Sequence, residues 1–236
     1  MVDWGNFSFD RRLNFMATEL PANFQRVLDS LTDEELAARG ITREQQRKRM
    51  ERRVLRDHEK SPSVGDEVPS LALEILTPDG MLRGEYLDIS ALRGKPVGIL
   101  FGSYSCPFFR NAIPPFIDVA NAHGDRIQFL CIYLDEAHAS NGIQLTVNRT
   151  EGIDHKQPRS EDERATIAAD CIERFKFPFP VLLDTMDDNA KEYFIASPVR
   201  LYMLNEEGRI AYKGGLGPHY LDVEEFAIAV SAALSE

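Results

Sequence analysis

Five apolar or small residues, Val97-Gly98-Ile99-Leu100-Phe101, run into Gly102-Ser103-Tyr104-Ser105 and then into Cys106-Pro107-Phe108-Phe109-Arg110. A short apolar run without polar alternation reads as a strand covered on both faces. Proline is at home in the first turn of a helix, where its missing N–H costs nothing. The pattern therefore predicts a buried strand that turns sharply into a helix and presents one cysteine at the helix start. Free backbone N–H groups and the helix dipole favour a thiolate there. The expectation is redox or thiol chemistry at Cys106, with a thiolate fraction above that of an ordinary cysteine.

The chain has 236 residues, 43% of them hydrophobic, enough for one well-buried core with an appendage. No apolar run approaches the ~20 residues that span a bilayer, and the first residues lack the charged-then-apolar pattern of a leader. A soluble, cytoplasmic protein with no integral membrane segment is expected. A formal net charge of -11 argues against nucleic acid as a partner. Three cysteines, Cys106, Cys131 and Cys171, do not make a secreted disulfide framework.

Residues 1–60 differ in composition from the rest and are expected to form an N-terminal helical extension to a main domain at 61–236. Thr42 and Gln45 form a candidate capping box. The stretch 39–57 holds eight basic residues against three acidic ones, and its simplest reading is a solvated helix face. Ser61 to Asp66 reads as a linker, and residues 69–75 as a short strand entering a Thr77-Pro78-Asp79-Gly80 turn, with a hairpin before the Cys106 strand. Further strands are expected at 97–101, 127–134, 180–183, 200–204 and 209–213, and helices at 107–123, 160–175 and 221–234. A helix between the first two of these strands favours a parallel βαβ unit, and Asn205-Glu206-Glu207-Gly208 favours a closing hairpin. The fold class is α/β, a central mixed sheet flanked by helices.

Phe109 stands three residues after Cys106, so no Cys-x-x-Cys disulfide can form. Cys131 and Cys171 read as packed residues of a strand and a helix. In a parallel sheet, loops beyond the strand ends line the ligand crevice. That rule places Asp135-Glu136-Ala137-His138 beside Cys106. His138 is a candidate proton donor or substrate contact, and Glu136 a candidate to orient it. Ser103, Tyr104 and Ser105 crowd polar groups around the thiol and are candidate substrate contacts. Arg200, opening the strand after Ser197-Pro198-Val199, is expected opposite the thiol, where it could lower the Cys106 pKa or grip an anionic group through two donors. Many folds of this kind set a cis-proline immediately before that strand; with the strand starting at Arg200, Val199 holds the position. No recognised metal-ligand spacing is present, and Gly214-Gly215-Leu216-Gly217-Pro218 lacks the pattern of a phosphate or dinucleotide loop.

The ordered series Phe101 to Phe108, Ile132 to His138, Leu183-Asp184-Thr185-Met186, Arg200-Leu201-Tyr202 and Tyr212 to Pro218 resembles the iodothyronine deiodinase family. The resemblance covers residues 66–236 and implies a thioredoxin-like domain in which Cys106 stands at the family's selenocysteine position. It implies reductive removal of iodide from phenolic rings, no tightly bound cofactor, and an external thiol or thioredoxin-like donor as reductant. It also implies homodimers. Carried over, Cys106 would attack the halogen, His138 and Arg200 would clamp or protonate a phenolic substrate, and Glu136 would support the histidine. A second family histidine matches Pro158, with His155 nearby, and a family cysteine matches Tyr104. Two other readings stand beside a dehalogenase of iodinated or brominated phenols: a one-cysteine thiol peroxidase in which Cys106 cycles through a sulfenate, and a non-catalytic binding module.

Overall fold

The computed structural model describes residues 20–77 and 79–235; the first 19 positions of the expected N-terminal extension, and Pro78 of the expected turn, lie outside them. The chain divides into two compact units, Met1–Arg53 and Val54–Glu236.

In the first unit, α1 (Ala22–Ser30) and α2 (Asp33–Ala38) precede the start of α3 (Arg43–Lys60). Capping fixes each turn. Thr32 and Glu35 close a reciprocal box at α2, and Thr42 and Gln45 do the same at α3, as their spacing predicts. The Arg43 guanidinium donates to the Leu28 and Leu31 carbonyls, the groups that α1 leaves unpaired at its end.

The second unit is built on a seven-stranded mixed sheet: β1 (Ala72–Leu76), β2 (Tyr86–Asp88), β3 (Val97–Gly102), β4 (Gln128–Tyr133), β5 (Val181–Leu183), β6 (Val199–Leu204) and β7 (Ile210–Lys213), in the order β2-β1-β5-β4-β3-β6-β7. β3, β4 and β5 are parallel; β6, β7, β1 and β2 pair antiparallel. α4 (Pro107–His123) links β3 to β4, and α5 (Thr146–Thr150) with α6 (Glu161–Phe175) links β4 to β5. Both crossovers step the same way along the sheet, so right-handed connection puts α4 and α6 on one face. Their buried residues accordingly share one cluster, with Phe226 and Val230 of α8 (Val223–Ala233). α7 (Asn189–Phe194) covers the other face with Ala190 and Phe194. The α/β fold, the βαβ unit and both hairpins agree with the sequence reading.

Two glycines of β3 let aromatic rings lie directly on the strand. A Cβ on Gly98 would stand 2.8 Å from the Phe129 ring, and one on Gly102 would stand 2.2 Å from that of Phe109. Phe109 is three residues past Cys106, so this close approach sets the height of the α4 N-terminus above the sheet. The Ser197-Pro198 bond is cis and β6 begins at the next residue, Val199. The expected interruption by Val199 is thus corrected, because the strand starts one residue earlier than its polar Arg200 suggested.

Arg200 pairs with Phe101 across β6 and β3, and directly paired residues share a face. Its side chain therefore lies with Phe101 and Tyr202 on the α7 face, its guanidinium 5.2 Å from the Tyr202 ring. Only 1% of the residue is exposed. Its Nε donates to the Gly214 carbonyl, and its Nη1 to the Phe194 and Ile195 carbonyls and to Asp57. Burial pushes the Asp57 carboxyl up, but the hydrogen bond and charge of Arg200, helped by Lys213, outweigh it and hold the pKa below the ordinary value. A depressed carboxyl contributes stability above its unfolded pKa and loses it as pH falls through the folded one. Asp57→Ala should cost roughly 3–5 kcal/mol by leaving a buried cation unpaired. In urea melts, the gap between wild type and Asp57→Asn should close only below about pH 4; a gap independent of pH would remove this ion pair from the account.

Candidate active site

The segment from Ser103 to Cys106 is neither strand nor helix, and it is buried, so its backbone groups need partners. The Tyr104 N–H donates to the Tyr133 hydroxyl (3.0 Å), the Ser105 N–H to Glu136 Oε2 (2.8 Å), and the Cys106 N–H to the Ser103 carbonyl (3.0 Å). On the acceptor side, the Tyr104 carbonyl takes Arg110 Nη1 (2.6 Å), the Ser105 carbonyl takes Asn148 Nδ2 (2.8 Å), and the Cys106 carbonyl takes the Arg110 N–H. The two serine hydroxyls accept from the facing loop: Ser103 Oγ from the Ala137 N–H and Ser105 Oγ from the His138 N–H.

The structure thus brings Cys106, Ser103, Tyr104, Ser105, Glu136 and His138 together at the ends of β3 and β4. It does not bring Arg200 to them. That expectation is corrected, since strand register turns the Arg200 side chain to the far face of the sheet. Ser103, Tyr104 and Ser105 line the same loop. All three side chains are buried: the serine hydroxyls hold the facing loop, and the Tyr104 ring lies against His155 with its hydroxyl 3.4 Å from Arg174. Glu136 binds the Ser105 N–H and the Tyr133 hydroxyl, while His138 Nδ1 meets the Ile143 carbonyl at 3.2 Å. A carbonyl only accepts, so that contact places a proton on Nδ1 and leaves Nε2 as the nitrogen whose role changes with protonation.

Cys106 is the N-cap of α4, followed by Pro107 at the first helical position, and is 0% exposed. Burial pushes its thiol pKa above the ordinary value; the N–H groups of Phe109 and Phe108 and the charge of Arg110 pull it back without cancelling burial, and Glu136 adds to the rise. The expected surplus of thiolate is therefore reversed: the helix start acts as predicted, but desolvation is larger. Glu136 follows the same rule, its carboxyl raised by burial against the hydrogen bonds of Ser105 and Tyr133. Cys131 and Cys171 are buried and unbridged, both pushed upward by burial.

Arg110, Asn148 and Tyr133 escaped the sequence reading. Arg110 is 4% exposed and also contacts Asn148 Oδ1 at 3.0 Å and Glu151 at 3.4 Å. Its signal was visible: an arginine one turn from an N-terminal cysteine, inside a helix whose neighbouring positions are apolar. Asn148 and Tyr133 gave none, because their partners lie 43 and 29 residues away. His155 packs its ring 5.6 Å from that of Tyr104. A cleft of about 300 Å³ lined by Ala120, Ile127, Phe129 and Phe179 opens at the opposite ends of the strands and has no titratable lining residue.

The sequence model described as Iodothyronine deiodinase matches residues 30–231. This chain belongs to the iodothyronine deiodinase family. It is 31% identical over 170 residues to the Type II iodothyronine deiodinase of Bos taurus, covering 71% of this chain and 62% of that protein. It is 35% identical over 164 residues to the Type I iodothyronine deiodinase of Xenopus laevis, covering 69% and 60%. The chain thus spans less than two thirds of the length of these deiodinases. Among solved structures, the fold is similar to a thiol:disulfide interchange protein from Bacteroides sp. (TM-score 0.51, 17% identity, 74% of this chain and 92% of that one). An uncharacterized conserved protein from Geobacillus kaustophilus is similar to the same degree (TM-score 0.51, 17% identity, 73% and 82%). The thioredoxin-like fold expected for a deiodinase-family chain is the one observed. Among the described residues, no helix is long and apolar enough to cross a membrane.

Two measurements follow from the buried site. The Cys106 thiolate should titrate with a midpoint above the ~8.5 of an ordinary cysteine, read from the pH dependence of alkylation; a lower midpoint would mean that the helix start outweighs burial. Tyr133→Phe should cost about 1–3 kcal/mol in denaturant melts, because it strands both the Tyr104 N–H and a Glu136 oxygen. An unchanged midpoint of unfolding would show that the loop does not depend on that hydroxyl.

Proposed function

We propose that the protein is a thiol-dependent oxidoreductase that reductively removes iodine or bromine from phenolic compounds, with Cys106 as nucleophile and an external thiol as reductant. Family membership across 30–231 supports the class. The observation that carries the reading is the juxtaposition of Cys106, at the start of α4, with the buried carboxyl of Glu136 one hydrogen-bonded loop away.

In this reaction the Cys106 thiolate attacks the halogen. A sulfur–halogen bond forms as the carbon–halogen bond breaks, and its electron pair stays on the ring carbon, which takes up a proton. An external thiolate then attacks the sulfur and expels halide, leaving a mixed disulfide. A second thiol exchanges with it and restores Cys106. One aryl halide and two thiols give the dehalogenated phenol, one disulfide, halide and a proton.

Glu136 suits the proton step, since burial raises its pKa and its Oε1 accepts from the Tyr133 hydroxyl. His138 suits the phenolic oxygen, with Nδ1 tied to the Ile143 carbonyl and its backbone held on the loop facing Cys106. Arg200 has no part in this scheme. A small dithiol or a thioredoxin-like donor would serve as reductant.

The test is anaerobic incubation with an iodinated phenol and a dithiol, with Cys106→Ser as control. Halide should be released by wild type only, faster from the iodinated phenol than from its chlorinated analogue, because iodine is the softer target for sulfur. The methyl ether of the same phenol should react more slowly, as its oxygen can no longer share charge with the ring as halide leaves. Absence of halide with rapid, Cys106-dependent peroxide consumption would reassign the protein as a thiol peroxidase.

A further inference from the structure

We propose that Asn148 of α5 is a positioning residue that ties the Arg110 guanidinium to the Cys106 loop, so that a five-residue helix distant in sequence sets the reactivity of the thiol. The inference rests on the reading of Cys106 as the reactive group. Asn148 is fully buried, yet it sits in a short helix of otherwise largely exposed residues. Both ends of its amide are used. Nδ2 donates to the Ser105 carbonyl, directly before Cys106, and Oδ1 accepts from Arg110 Nη2. Arg110 closes the figure through Nη1 on the Tyr104 carbonyl. Arg110 and Asn148 thus cross-link two successive carbonyls of the loop and fix a cation one helical turn from the sulfur.

The charged groups acting on Cys106 are Arg110 from α4 and Glu136 from the loop after β4, and they oppose one another. Behind Arg110 stands Glu151, which also holds Arg174 at 2.9 Å; His155 faces Glu136 from the segment before α6. Of these, Arg110 is the cation whose charge acts on the thiol, and Asn148 holds its Nη2. Without that amide, the guanidinium keeps the Tyr104 carbonyl and Glu151, and can swing towards the Glu151 carboxylate. The field at the sulfur would fall even though no charge is lost.

The experiment is a pH titration of the Cys106 thiolate by its ultraviolet absorbance, each variant referred to the same protein carrying Cys106→Ser. It needs no halogenated substrate, so failure of the dehalogenase reading and failure of this one are separate results. Arg110→Met should raise the midpoint by about half a pH unit or more. Asn148→Leu, of similar size but without hydrogen bonds, should raise it by a smaller amount in wild type and by nothing further in the Arg110→Met background, because its effect runs through the guanidinium. Arg110→Lys keeps the charge without the fork; it should stay nearer wild type and lose its sensitivity to Asn148→Leu, a comparison that also serves if Arg110→Met does not fold. A midpoint unmoved by Asn148→Leu in wild type, or equal shifts from Asn148→Leu with and without Arg110, would overturn the proposal.

Discussion

Everything at this site depends on how the backbone of Tyr104, Ser105 and Cys106 is satisfied where β3 has ended and α4 has not begun. Buried N–H and C=O groups must be paired. Here the partners are one carboxylate, one phenol, one amide and one guanidinium, each from a different element: the loop after β4, β4 itself, α5 and α4. Four elements thereby converge on Tyr104 and Ser105, the two residues directly before the cysteine. The cysteine is held at its place above the sheet because its neighbours' backbones have no other partners, and Gly102 lets Phe109 press the helix start down onto the strand.

The same arrangement explains why the thiol is not simply activated. Satisfying a buried loop with Glu136 brings an acid into the low-dielectric space around Cys106, and that acid and the loss of water both disfavour the thiolate. Arg110 answers the acid with an opposite charge. Two ionisable groups of opposite sign, both tied to the loop backbone, thus act against each other at the sulfur, while burial keeps the net shift upward.

The helix from Pro107 to His123 was legible to the residue, because apolar Phe109, Ile113, Phe116 and Ala120 repeat at helical spacing and proline marks the start. The central strands were legible for the complementary reason: β3 and β6 are buried along their whole length. What could not be read was short or relational. α5 and α7 have five and six residues, too few for a periodicity, and they exist because Asn148 reaches a loop carbonyl and Asp184 caps the first N–H groups of α7. Arg200 was misplaced because its face depends on strand register, which no local pattern carries. Cys106 was assigned the wrong direction of pKa shift for a related reason: the dipole and N–H groups of a helix start are local and visible, whereas desolvation comes from residues distant in sequence.

In the proposed reaction, a raised thiol pKa costs less than the thiolate fraction alone suggests. Each unit above ambient pH lowers the thiolate fraction tenfold, but a more basic thiolate is also more nucleophilic, with a Brønsted slope of about 0.4–0.5. The gain is roughly threefold per unit, so the net loss is also only about threefold. Against a soft, polarisable halogen, a desolvated sulfur with intact basicity is a reasonable nucleophile, provided that the developing charge on the ring meets a proton. In the proposed reaction the Glu136 carboxyl would meet that need, since burial raises its pKa as it raises that of Cys106, and the proton taken up at the ring carbon would balance the one that the sulfur gives up. The burial that raises the Glu136 carboxyl also raises the Cys106 thiol, and the N–H groups of Phe109 and Phe108, with the charge of Arg110, offset part of that second rise.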